Sequence, residues 1–173
     1  MRKNRLVAVG GTFDEFHRGH KALLLQAFEA GERVLIGLST DSFAERMQKT
    51  HEITPFAVRY EELKSFLRKQ GWVERAEIVA LHDSYGVAAT SKDIEAIVVS
   101  EETESVASEI NAERRKRKLQ PLRIIVVRMI LAENSNPIST TRIRHFEIDR
   151  EGRLLKPEDK QHTCRNKSEE KSS

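Results

Sequence analysis

The sequence predicts an α/β fold in which a parallel five-stranded sheet carries helices on both faces, and three observations lead there. Short apolar runs suited to strands recur at residues 6–9, 34–38, 78–81, 94–99 and 122–130. Helical periodicity fills most of the intervals between them. The runs are apolar without alternation, the pattern of strands buried on both sides in a parallel sheet. The arrangement expected is Rossmann-like.

The first strand leads to a helix over residues 18–30, with Ala22, Leu23, Leu25, Ala27 and Phe28 apolar and Gly31 as its terminating residue. After the second strand, Thr54-Pro55 supplies a capping residue and a proline at the first helical position. The helix that follows directs Phe56, Tyr60, Leu63, Phe66 and Leu67 inward, and Trp72, just past Gly71, reads as packing. A further helix is expected over residues 103–118, and a last one after Ser139 with Ile143 and Phe146 on one side. From residue 156 the composition turns to Lys, Glu, Asp, Gln and Ser, too poor in apolar groups to offset the entropy of ordering. One domain over residues 1–155 with a disordered polar tail over 156–173 is therefore expected, and no internal repeat is present.

A chain of 173 residues with 38% hydrophobic content suits one domain with a sizeable core. Apolar runs such as 124–127 are far shorter than the roughly 20 residues that cross a bilayer, and no apolar stretch of leader length follows the basic start Met1-Arg2-Lys3-Asn4-Arg5. A soluble cytoplasmic protein without membrane contact is expected. The single cysteine, Cys164, rules out a disulfide framework or a cysteine-built metal site within the monomer. The 30 basic and 27 acidic residues give a net charge of +3 and are interspersed, so charge alone does not imply nucleic-acid binding. The run Arg114-Arg115-Lys116-Arg117-Lys118 reads as a solvated last helical turn that complements the helix dipole. Its alternative is a patch for nucleic acid or an acidic protein, but no aromatics interleave the cations for stacking.

The first strand runs into Gly10-Gly11-Thr12-Phe13-Asp14-Glu15-Phe16-His17-Arg18-Gly19-His20, a strand, glycine turn and helix start. Two glycines let backbone approach a ligand closely, and the free amides of a helix start attract an anion such as phosphate. His17 and His20, three apart, project from the same side of the first turn toward that anion. Gly19 leaves room for a flat base. Asp14 reads as a turn or capping residue and Phe16 as core. A zinc site completed by His51 or His82 is the competing reading of the histidine pair, but those residues are remote in sequence and no carboxylate is spaced to help.

Gly11-Thr12-Phe13-Asp14 with His17-Arg18-Gly19-His20 resembles the GTFD and HxGH signature of the nucleotidyltransferase superfamily, and Ile138-Ser139-Thr140-Thr141-Arg142-Ile143-Arg144 resembles its ISSTxIR element. Within that superfamily, Asp83-Ser84-Tyr85-Gly86, the segment 96–103, and Ile110-Asn111-Ala112-Glu113-Arg114 with Pro121-Leu122 resemble the phosphopantetheine adenylyltransferases of archaeal and eukaryotic type, over residues 6–155. The chain departs from the bacterial enzymes, which carry an arginine-rich segment where this one has Ser100-Glu101-Glu102-Thr103.

The resemblance implies transfer of AMP from ATP to 4′-phosphopantetheine, with attack by the acceptor's phosphate on the α-phosphorus. A phosphate is already anionic, so no general base is needed; alignment and charge stabilisation carry catalysis. It implies an ATP site of Gly10, Gly11, Thr12, Phe13, His17, Gly19, His20, Ile138, Ser139, Thr140 and Thr141. Within it Thr12, His17 and His20 serve the α-phosphate, and Ser139, Thr140 and Thr141 the β- and γ-phosphates. Lys49, with Arg46 as its alternative, bridges the incoming phosphate and the nucleotide; Asn111 and Arg114 face the ligand, and Asp83 and Tyr85 line the pantetheine arm. Mg²⁺ is expected on the triphosphate through ATP oxygens and water, with no protein metal site. A cytidylyltransferase acting on an alcohol phosphate is the nearest alternative, although Asn134-Ser135-Asn136-Pro137 stands where those enzymes carry an Arg-Thr-x-Gly run. A nicotinamide mononucleotide adenylyltransferase suits less well, since that group tends to begin Gly-Arg-Phe-Gln. The oligomeric state is not implied.

Overall fold

The structure, a computed structural model, describes residues 3–47 and 52–159. Five strands alternate with helices: β1 (Asn4–Gly11), α1 (Arg18–Ala30), β2 (Gly31–Ser39), α2 (Asp41–Met47), α3 (Phe56–Gln70), β3 (Ala76–Leu81), β4 (Ala96–Ser100), α4 (Glu104–Lys116), β5 (Arg123–Val127) and α5 (Thr140–Arg144). The strands form one parallel sheet in the order β3-β2-β1-β4-β5. Alternate residues of the strands feed two cores. Val7, Val9, Val34, Ile36 and Val98 pack with Leu24, Phe28, Leu63 and Leu67 of α1 and α3. Ala8, Leu35, Ile97 and Val99 pack with Ala107 and Ile110 of α4 on the other face. Burial on both faces is why the strands read as continuous apolar runs.

Several boundaries differ from the sequence expectation. Gly31 ends α1 as expected, its amide donating to the Ala27 carbonyl, but it does so in an extended conformation that also opens β2; a Cβ there would lie 2.7 Å from Val7 Cγ2, so the close approach of β1 demands the glycine. The cap of α3 is Pro55, one residue later than expected, and the free Phe56 amide donates to Asp41 Oδ1 at 2.8 Å. The α2 helix was not expected. β5 stops at Val127 instead of running to Ile130. Trp72 does pack, stacked on Phe28 with centroids 4.3 Å apart. Residues 156–159 form a local turn in which the Asp159 amide donates to the Lys156 carbonyl; the rest of the expected tail lies outside the described residues.

Arg59 binds the sheet's carboxyl edge together. Fully buried on α3, it donates to the carbonyls of Thr54 (2.6 Å), Thr12 (2.8 Å) and Ser39 (2.8 Å) and to Asp41 Oδ1 (2.7 Å). One planar guanidinium thus satisfies backbone acceptors at the ends of β1 and β2 and at the start of α3.

Candidate active site

Pairing between β1 and β4 ends at Val9 and Val98, whereas β4 stays paired to β5 as far as Ser100 and Val127. The two central strands therefore part at their carboxyl ends, where chain connectivity reverses direction across the sheet, the position at which open α/β sheets bind ligands. A cleft of about 310 Å³ opens there. His17, Gly19, His20 and Leu23 of α1 form one wall, Ser100, Glu102 and residues 127–130 another, and Ile138, Ser139, Thr140 and Thr141 at the α5 start close it.

The histidines are arranged by local capping. His17 is the N-cap of α1, extended at φ −126°, and its Nδ1 accepts from the Gly19 amide at 3.1 Å. His20 Nδ1 accepts from the His17 amide at 3.2 Å, closing a reciprocal box. The rings stack with centroids 3.8 Å apart. With both Nδ1 atoms accepting amide protons, the neutral tautomer of each ring carries its proton on Nε2. Burial pushes the His17 pKa down to about 4, and nearby Arg150 adds to this. Burial and the neighbouring His17 hold His20 well below its ordinary value. At neutral pH the pair is two uncharged N–H donors. Gly19 lies beneath the His17 ring, where a Cβ would be 2.9 Å from Cε1, and it lines the cleft.

The α5 start contributes hydroxyls with prior engagements. Ser139 Oγ caps the helix by accepting from the Arg142 amide at 3.3 Å, and Thr140 Oγ1 donates to the Asp14 carbonyl at 3.1 Å. Among the described residues Arg128 is the only Lys or Arg in the cleft wall.

A smaller cleft of about 110 Å³ lies on the opposite sheet face, floored by Ala8, Gly10 and Gly37 and walled by Leu81, Ser84 and Tyr85. Tyr85 thus lines a cleft, its hydroxyl donating to Glu109 Oε2 at 2.8 Å, which raises its pKa.

Other expected ligand residues lie elsewhere. Asp83 is a turn residue whose Oδ1 accepts from the amides of Gly86 and Tyr85, each at 2.8 Å, and these bonds lower its pKa. Asn111 is buried against Leu122, exchanging two hydrogen bonds of 2.7 and 2.9 Å with its backbone. Arg114, also buried, donates to the carbonyls of Gln120, Ala88 and Ser91. Both anchor the loops around α4, and neither lines the main cleft. Thr12 offers its carbonyl to Arg59, and Gly11, Thr12 and Phe13 do not line the main cleft. Phe13 is buried under His20, with ring centroids 5.3 Å apart. Arg46 donates to the His82 carbonyl at 3.0 Å. Lys49 and His51 lie outside the described residues.

Sequence reasoning missed Arg128, Glu102 and Leu23 in the cleft wall. Position just past the carboxyl ends of β4 and β5 was the available signal for the first two. Among the described residues no group of three or more His, Cys, Asp or Glu could hold a metal ion. No helix among them is long and apolar enough to cross a membrane.

The cytidylyltransferase-like family model matches residues 8–146, the span from β1 through α5 that builds this cleft. The chain belongs to that family. It is 48% identical to a phosphopantetheine adenylyltransferase of Methanothermobacter thermautotrophicus over 155 residues, 90% of this chain and 92% of the relative. A relative of the same name from Methanopyrus kandleri is 46% identical over 84% of this chain and 91% of its own. Among solved structures, a protein of unknown function from Archaeoglobus fulgidus superposes with a TM-score of 0.64 at 35% identity, covering 70% of this chain and 87% of that one. A bifunctional NMN adenylyltransferase/ADP ribose pyrophosphatase from Francisella tularensis shares the fold at a TM-score of 0.52 and 15% identity, over 83% of this chain and 41% of that one. In this member of the cytidylyltransferase-like family, the two motif segments at opposite ends of the matched region meet in one cleft.

Proposed function

We propose that the protein transfers AMP from ATP to 4′-phosphopantetheine, releasing pyrophosphate and giving dephospho-CoA, a step of coenzyme A synthesis in the cytoplasm. The observation that carries this reading is the cleft where β1 and β4 part, which joins two neutral imidazole donors to a hydroxyl-bearing helix start. Relatives named phosphopantetheine adenylyltransferase, identical at 46–48% over most of the chain, point to the acceptor.

In this reading ATP lies in the larger cleft. His17 and His20 donate from Nε2 to the α-phosphate, while the α5 start and Arg128 face the β- and γ-phosphates, the arginine supplying the cation that Ser100-Glu101-Glu102-Thr103 does not. Mg²⁺ enters with the triphosphate as part of the substrate. The pantetheine arm lies over Gly10 and Gly37 beside Tyr85, where the absence of side chains leaves the sheet open. Lys49 meets the incoming phosphate. That phosphate attacks the α-phosphorus in line and pyrophosphate leaves on the far side. Neutral donors suit this chemistry, since negative charge grows on the equatorial oxygens and no proton has to be removed from the nucleophile. Small molecules, not nucleic acid or membrane, are the partners. Support comes from the basic run on α4: Arg114 is buried, and Lys116 and Arg117 pair with Glu113.

The test is pyrophosphate release from three mixtures: ATP with 4′-phosphopantetheine, CTP with glycerol 3-phosphate, and ATP with nicotinamide mononucleotide. Turnover with the first far above the others is expected. Turnover confined to CTP with the alcohol phosphate would overturn the proposal.

A further inference from the structure

The loop between β1 and α1 holds two non-glycine residues in the left-handed region, Phe13 at φ 51° and Glu15 at φ 49°. Such conformations persist where the surroundings over-determine them. Here the restraints come from the other end of the chain. Asp14, 1% exposed, accepts from Arg144 Nε at 3.0 Å and from Arg144 Nη2 at 2.8 and 2.9 Å, and also from the Thr54 amide at 3.2 Å. Thr140 binds the Asp14 carbonyl. Arg150 holds Glu15 Oε2 at 3.0 and 3.2 Å, and its own carbonyl accepts from the Arg18 amide at 3.0 Å. Among the described residues the hydrogen bonds of Arg144 go to Asp14 and Thr54, and Arg144 lines neither cleft.

We infer that Arg144 is a positioning residue: by clasping Asp14 it sets the separation between the His17/His20 pair and the Ser139–Thr141 helix start. The inference rests on the functional reading above, in which one end of the cleft serves the α-phosphate and the other the β- and γ-phosphates. The two ends lie more than a hundred residues apart in sequence, and the Arg144–Asp14 pair bridges them with a planar, bidentate contact that a lysine's point charge cannot reproduce. Small misplacements of aligned groups cost rate far more than binding.

Arg144→Lys, Arg144→Met, Asp14→Asn and the Asp14→Asn/Arg144→Met double variant separate positioning from a purely structural role. Pyrophosphate release with ATP and 4′-phosphopantetheine gives kcat and KM, thermal melting gives stability, and ¹⁵N shifts of the His17 and His20 rings in the substrate-free protein report the Nδ1 caps. For Arg144→Lys a tenfold or greater loss of kcat is expected, with the ATP KM within threefold, altered ring shifts and a melting temperature within a few degrees of the parent. The double variant should lose no more kcat than either single one. Should Arg144→Lys fail to fold, the isosteric Asp14→Asn carries the same readouts. A folded Arg144→Lys or Asp14→Asn protein with parental kcat and ring shifts would overturn the inference. A loss of activity that only tracks unfolding, with ring shifts unchanged, would do so too. If the parent itself releases no pyrophosphate, the functional reading has failed, and the ring shifts still decide whether the clasp positions the histidines.

Discussion

His20 donates because its Nδ1 lone pair is occupied by the His17 amide and its burial keeps it uncharged. A donor whose bond strengthens as charge develops lowers the barrier without tightening ground-state binding. His20→Ala should therefore fold, bind ATP within a few-fold of the parent, and lose roughly a hundredfold to a thousandfold in kcat, about 2.7–4 kcal/mol. Calorimetric ATP affinity, melting temperature and kcat on one preparation check this; near-parental kcat in a stable variant would remove His20 from the chemistry. His17 makes a separate statement about pH. Its pKa falls from about 6.5 unfolded to about 4 folded, so below pH 6.5 the unfolded chain takes up a proton that the folded one refuses. Stability is then fully present above about pH 6.5 and declines toward pH 4. The groups acting on the ring are Arg150 and Lys21, which oppose its protonation, and Asp14 and Glu15, which favour it. His17→Gln should flatten the pH dependence of denaturant unfolding over that window, and an unchanged slope would contradict the assignment. The spacing of His17 and His20 placed them on one helical turn in the sequence. Their capping and stacking were not legible, because those depend on the extended backbone of His17. Arg114 misled for a related reason: a cation at a helix end reads as solvated, and only the loop folded over it shows that it is buried and holds the carbonyls of Ala88, Ser91 and Gln120.

The α1 and α4 helices were legible in the sequence, whereas α2 was not, since Phe43, Ala44 and Met47 fall in a seven-residue helix, about two turns, too short a window for the period to stand out. α2 buries Phe43 and Ala44, and its first residue, Asp41, caps α3 and pairs with Arg59. Arg59 itself occupies an inward position in α3 that sequence reading assigns to apolar residues. Arg59→Met keeps much of the volume but strips the donors from three backbone carbonyls at the edge of the active-site loop. Each buried acceptor left unpaired costs about 1–3 kcal/mol. A total loss of about 3–5 kcal/mol is expected, seen as a fall of roughly 10 °C in melting temperature. A shift under 2 °C would show that water or a rearranged loop replaces the guanidinium. The end of β5 at Val127 is the matching lesson for strands. The expected run continued to Ile130 because Met129 and Ile130 are apolar, yet those residues turn out of the sheet to form cleft wall beside Arg128.

At the scale of the molecule, the cleft joins parts that the sheet leaves apart. β1 and β4 are adjacent but diverge beyond Val9 and Val98, and the walls come from α1, from the ends of β4 and β5, and from α5. A ligand there cross-links the amino-terminal motif to the carboxyl-terminal one, so its binding energy appears in the stability of the whole fold. ATP at a hundredfold excess over its Kd should stabilise by about 2.7 kcal/mol, and for a chain of this length that raises the melting temperature by roughly 5–10 °C. Arg128 decides how much of this is electrostatic. It is exposed, and no ion pair to it is recorded among the described residues, so Arg128→Ala should leave the melting temperature of the free protein unchanged. If the arginine faces the triphosphate, the same substitution should shrink the shift produced by a fixed ATP concentration. It should have much less effect on the shift produced by AMP, which lacks the β- and γ-phosphates. Thermal melts of parent and Arg128→Ala with no nucleotide, with AMP and with ATP check all three statements. Equal ATP shifts in the two proteins would remove Arg128 from the nucleotide site, and the absence of any ATP shift in the parent would remove ATP from the cleft.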